Sequence, residues 1–266
     1  MKGNSKRSVT TFSSETLTQL REKSRELQES MCDLRGVKEG WRRAPVDPNV
    51  ILSLFPTLRL KEGYRLVGFQ FTSHENANGI VLAWPADKPV PDPPGDLWHP
   101  FSLQNFLQAH LQMHLGMGGW QVQNYFSTAI MPAIEGDGSP RSYLEASIFG
   151  REIYEFGAVW HGSDWSTHYI IGGDPFTEGA SWVSDDSGSE PLDPFSREAW
   201  TVKEKLPADW SPTVTMTPKQ ARVEFYTYSA LGFETLNLHR DTYTQGNYQC
   251  RSKLVQLATG KQGYIF

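Results

Sequence analysis

Cysteine is nearly missing from this chain, which holds only 2 in 266 residues, Cys32 and Cys250. That excludes a disulfide framework and any CxxC metal clip. Long apolar runs are missing too. No stretch approaches the roughly 20 residues a membrane-spanning helix needs, and the basic opening Met1–Thr10 lacks the apolar centre of a secretory signal. Nucleophile and phosphate motifs are absent as well. The nearest approach to a GxSxG elbow, Gly179-Ala180-Ser181-Trp182-Val183, lacks the closing glycine. Gly116-Met117-Gly118-Gly119 follows a helical stretch, whereas a dinucleotide loop follows a strand. No repeat recurs at a fixed period. A cytoplasmic protein without a membrane segment is the expectation these gaps support.

Charge is unevenly spread. The formal net charge is −5, yet residues 85–200 carry 4 basic and 16 acidic side chains, while 1–43 carry 10 basic and 6 acidic. An acidic middle repels phosphate backbones, so nucleic acid is disfavoured as a partner, and a basic protein or cations suit it better.

The feature that stands out is a histidine pair. Ser102 to Leu115 repeats apolar residues at helical spacing, Ser102 serves as N-cap and Gly116 as stop. At about 100° per residue, His110 and His114 lie within roughly 20° of the direction of Leu103. Imidazoles on an apolar face need partners, since an unsatisfied buried donor costs about 1–3 kcal/mol. Spaced four apart, the two rings can share one divalent metal ion. The intervening Leu111-Gln112-Met113 lacks the glutamate of an HExxH metalloprotease, so that class is excluded. A third ligand would come from Trp160-His161-Gly162-Ser163-Asp164-Trp165-Ser166-Thr167-His168. His110, His114 and His161 are thus the candidate metal ligands. His110, His114, His161, Asp164 and His168 are the candidate acid–base groups.

The remaining segments set the fold. Ser13-Ser14-Glu15 opens a helix running to about Arg35, whose Leu17, Leu20, Leu27, Met31 and Leu34 form a seam interrupted by Ser24. The seam docks on the chain's own body or, alternatively, on a second copy. Five prolines within residues 85–94 mark an extended excursion. Val67, Phe69 and Phe71 share one strand face, and Ile80–Trp84 returns beside them as a hairpin. Further strands are expected at 120–126, 143–149, 153–160, 167–171, 222–228, 234–239 and 248–255. The turn-rich acidic stretch 172–206 reads as a long loop.

The predicted fold is α+β: a large, mainly antiparallel sheet or half-barrel with one packed helix, preceded by an N-terminal amphipathic helix. Residues 1–43 form the basic arm and helix, and 44–266 a single β-rich domain. The expected function is binding of a protein partner or small ligand through acidic, Trp-bearing loops, of the kind used by inhibitors or immunity proteins. Trp165, Trp182, Asp185, Asp186 and Trp200 are the contact candidates. The alternative is an enzyme, metal-dependent in one form, with its pocket between the His110 and His114 helix and the sheet.

Overall fold

The computed structural model describes residues 7–73, 75–90, 92, 130–160, 164–177 and 195–265. In chain order the strands are β1 (Ser8–Thr11), β2 (Gly40–Arg43), β3 (Leu58–Leu60), β4 (Tyr64–Ser73), β5 (Asn76–Pro85) and β6 (Ile134–Gly136). They continue with β7 (His168–Ile170), β8 (Thr201–Val202), β9 (Thr213–Met216), β10 (Gln220–Ser229), β11 (Phe233–Thr244) and β12 (Cys250–Gln262). The α-helices are α1 (Ser14–Cys32), α2 (Pro48–Leu52) and α3 (Pro140–Tyr154). The chain is α+β, with a large antiparallel half-barrel sheet, a helix packed on it, and the expected N-terminal helix. No helix among the described residues is long and apolar enough to cross a membrane.

The chain divides into two discontinuous units. One comprises Met1–Glu22, Gly136–Ile148 and Asp164–Phe266, and the other Lys23–Glu135 and Phe149–Ser163. Residues of α1 and α3 fall in both.

The first unit is built on a sheet of order β1-β9-β10-β11-β12-β8, with β7 paired to β10. Its centre is the meander β10-β11-β12, whose turns pass through Gly232 and Gly246 at φ +74° and +79°, where a Cβ would strain the backbone. Strand alternation gives β10 and β11 two different faces. On one, Tyr228, Leu236 and Leu238 pack with Leu257 and Ala258 of β12 and with Ile171, Trp200 and Trp210, and Phe176 and Phe195 lie against them. This apolar cluster anchors the segments flanking β7 and β8. The other face is described below.

The second unit rests on the hairpin β4-β5, whose register runs from Tyr64↔Pro85 to Ser73↔Asn76, with β2 on the outer edge of β4. Val67 and Phe69 are buried and Phe71 is half-buried, while Leu66, Gly68 and Gln70 on the alternate positions are buried as well. Asp47 caps α2 by accepting from the Asn49 amide at 2.9 Å, and Pro48 occupies the first turn, where its missing N–H costs nothing. Gly79 is required by a close approach, because a Cβ there would lie 1.7 Å from the Phe156 carbonyl oxygen. Gln70 ties the unit together. Its amide donates to the carbonyls of Met31 and Gly157 at 3.0 and 2.8 Å, and its oxygen accepts from the Arg42 guanidinium at 2.6 and 3.1 Å.

One expectation is corrected. Residues 143–149 are not a strand but the middle of α3, and 153–154 end the same helix. The local signals favour a helix: Pro140 stands at its first position, and Ser139 caps it by accepting from the Ser142 amide at 3.2 Å. Ser142 through Phe149 are buried on every side, so the run shows neither the two-residue nor the 3.6-residue alternation that separates the two structures. The seam of α1 is mostly covered by the chain itself, the first of the two arrangements expected for it. Leu17, Leu20 and Met31 are buried within the chain, Leu34 is half-buried and Leu27 is 36% exposed. Three of its five members are therefore not on offer to a second copy.

Candidate functional site

Polar residues are concentrated where a sheet face normally carries aliphatic ones. On β10 the second face presents Val223, Phe225, Thr227 and Ser229; on β11 it presents Thr235, Asn237, His239, Asp241 and Tyr243. The register sets Phe225 opposite His239, Thr227 opposite Asn237, and Val223 opposite Asp241. Thr227, Ser229, Asn237, His239, Asp241 and Tyr243 are all buried. Strand β7 extends this face, placing Ile170 beside Thr227 and His168 beside Ser229.

A row of hydrogen bonds crosses these three strands. His168 Nδ1 lies 2.8 Å from Thr227 Oγ1, and the same oxygen lies 2.9 Å from His239 Nε2. The two imidazoles, with centroids 5.5 Å apart, are thus joined through one hydroxyl. A parallel link connects Thr167 Oγ1 and Ser229 Oγ at 3.1 Å. Aromatic rings fix the imidazole planes. Phe225 stacks on His239 at 4.7 Å and 4°, while Trp165 lies 5.8 Å from His168 and meets His239 edge-on at 5.5 Å.

Trp165 belongs to the short 3-10 turn Trp165–Thr167 that leads into β7, and Arg21 of α1 holds this turn. Its guanidinium sits 4.1 Å from the centre of the Trp165 ring, donates to the Trp165 carbonyl at 2.8 Å and also donates to the His168 carbonyl. Arg21 is buried, and carbonyl dipoles and the indole face are among the groups set against its charge. Ahead of the turn stands Asp164, whose carboxylate is 79% exposed and 3.9 Å from His168 Nε2. His168 therefore has one nitrogen inside the sheet and the other towards an acidic, solvated group.

At the far end of the row the α3 helix closes over β11. Ser147 Oγ lies 2.8 Å from the Tyr243 hydroxyl, and Tyr143 packs between Tyr243 and Tyr248 at 5.3 and 5.0 Å. The Tyr143 hydroxyl accepts from the Gly246 amide, and burial pushes its pKa up. Glu145, also buried, accepts from Arg141 at 2.7 Å.

Of the residues singled out from the sequence, Asp164 and His168 are brought together as described. His110, His114, His161, Trp182, Asp185 and Asp186 lie outside the described residues. Trp165 and Trp200 are buried, at 6% and 8% exposure, one beneath Arg21 and the other in the apolar cluster of the opposite face. Both indoles pack inside the chain instead of presenting a contact surface. Among the described residues no three His, Cys, Asp or Glu side chains are grouped to hold a metal ion.

Arg21, Thr227, His239 and Asp241 were not expected from the sequence as site residues. Their signal was Asn237, His239 and Asp241 alternating along β11 with Leu236, Leu238 and Arg240. Such a pattern ordinarily marks a polar face turned to water. Here α1 and α3 residues cover it.

Comparison with family models, with curated proteins and with solved structures finds no match.

Proposed function

We propose that this chain is a cytoplasmic binding protein whose small polar ligand is recognised by the buried polar face of the large sheet. One observation carries the reading: Arg21, His168, Thr227, Asn237, His239 and Asp241 are buried together in one unit, on or beside a single sheet face. Burying a hydroxyl or amide costs about 1–3 kcal/mol unless it is bonded, and burying a charge costs more. A face selected only for stability would resemble the opposite one, with its leucines and aromatics. Ligand sites accept this cost because converging polar groups give specificity.

The test uses Asp241→Asn and a set of small carboxylates, amines and polyols, with the histidine ring signals of the labelled protein as readout. Asp241→Asn, which keeps the shape and removes the charge, is expected to weaken whichever probes shift those signals. If no probe moves the His168 and His239 signals, the face is structural and the reading fails.

A second reading, an enzyme, is favoured by the placement of His168 between Thr227 and the exposed carboxylate of Asp164. This is an arrangement suited to general acid–base work. A divalent metal on His110, His114 and His161 belongs to this reading, and elemental analysis of untagged protein tests it.

A further inference from the structure

We infer that His168, Thr227 and His239 form a one-proton relay that connects the solvated Asp164 end of the site to the interior of the sheet. The inference rests on the reading of this face as a functional site. It starts from the hydrogen inventory of one hydroxyl.

Thr227 is fully buried, and among the described residues its Oγ1 is bonded only to His168 Nδ1 and His239 Nε2. A hydroxyl has a single hydrogen to donate and two lone pairs to accept with. That hydrogen must go to one of the two imidazoles, whose facing nitrogen is therefore bare. The other imidazole donates its facing N–H to the Thr227 oxygen. The rings are thus locked into complementary tautomers: when His168 carries its proton on Nδ1, His239 carries its own on Nδ1 and not on Nε2. In the opposite state His168 is protonated on Nε2 and His239 on Nε2.

The same inventory limits charge. If both rings were imidazolium, both facing nitrogens would donate and the buried Thr227 hydrogen would have no acceptor. Two positive rings with centroids 5.5 Å apart would also repel. The pair therefore holds at most one extra proton. Three charged groups surround it: Asp164 ahead of β7, Arg21 from α1, and Asp241 next in the row on β11.

The transfer needs an acid at one end and a base at the other. A proton supplied by solvent at His168 Nε2 makes an imidazolium, whose Nδ1 proton passes to Thr227 Oγ1. The hydroxyl's own proton passes at the same time to His239 Nε2. His239 is now the imidazolium and passes its Nδ1 proton to a basic atom of the bound ligand, and Thr227 is unchanged. Both heavy-atom distances, 2.8 and 2.9 Å, are those of hydrogen bonds through which protons move. Each passage leaves both rings in the opposite tautomer, so the relay resets only by running backwards. It suits a reaction that borrows a proton in one step and returns it in the next.

The experiment is long-range nitrogen–proton correlation on the full chain labelled with 15N-histidine, followed through an acid titration. In the wild type, one of the two facing nitrogens should be protonated and the other bare, and the pair should take up a single proton. Thr227→Val should uncouple the rings so that each titrates fully, whereas Thr227→Ser, which keeps the hydroxyl, should preserve the coupling. Independent uptake of two protons by the wild-type rings, or both facing nitrogens in the same state, overturns the relay even if Thr227→Val fails to fold. Coupled rings in a protein whose ring signals no probe shifts would leave the relay standing and remove the ligand reading. Uncoupled rings that do respond to a probe would do the reverse.

Discussion

Replacing Thr227 by valine removes one oxygen and keeps the shape, and the structure fixes what is lost. The hydroxyl makes hydrogen bonds of 2.8 and 2.9 Å to two buried imidazole nitrogens. Valine leaves both rings without that partner in a site closed to water. An orphaned buried polar atom costs about 1–3 kcal/mol, which gives roughly 2–6 kcal/mol for the pair. In a chain of this size a kilocalorie moves the melting temperature by about 2–4 °C, so a fall of roughly 5–20 °C is expected. Thr227→Ser is the control. It retains the hydroxyl and gives up one methyl, a loss of about 1 kcal/mol. Urea unfolding of the three proteins, with midpoints compared at constant slope, separates the terms. Equal midpoints for the valine and serine variants would refute the reasoning, because the hydroxyl would then contribute nothing that the rings need.

Gly79→Ala places a methyl 1.7 Å from the Phe156 carbonyl oxygen, and either β5 or the segment after α3 must move. A loss of about 3 kcal/mol is expected in thermal or urea unfolding, and a variant as stable as the wild type would rule out the close approach. Burial pushes the hydroxyls of Tyr143, Tyr226, Tyr228 and Tyr264 above the ordinary tyrosine value, and for Tyr228 the neighbouring Glu234 adds to the shift. Because the folded values are raised, their contribution is complete below the unfolded value of about 10 and is lost as pH rises through the folded ones. Stability should fall steeply above pH of about 10, with the phenolate absorbance of these four tyrosines appearing late and together with unfolding. Complete phenolate absorbance in the still-folded protein would contradict this.

The fold class could be read from sequence because strands and helix α1 advertise themselves locally. Val67 and Phe69 on an alternating strand and the apolar run Ile80–Trp84 pair as a hairpin, and Leu17 and Leu20 turn inward on a capped helix. Helix α3 resembles a strand in sequence because residues 142–149 are buried all round and offer no contrast between faces. The site was half legible. His168 and Asp164 drew notice as members of a histidine-rich turn, but His239 sits alone in β11, surrounded by residues that any exposed strand could carry. Its partners come from β7 and β10, and Arg21 reaches the same place from 147 residues before His168. No local window contains that pairing. Topology creates it.

The strand β1 pairs with β9, joining Ser8–Thr11 to Thr213–Met216. On the ribosome Ser8–Thr11 must therefore remain without their neighbour until about 200 further residues have been made. Late closure of this kind slows folding, since contacts distant in sequence are formed against the largest loss of chain freedom. Ser8-Val9-Thr10-Thr11 is short and mostly hydroxylated, and such a segment can wait in water without recruiting the wrong strand. A version with its amino end moved, by circular permutation, to sit next to β9 should reach the native state sooner after dilution from denaturant.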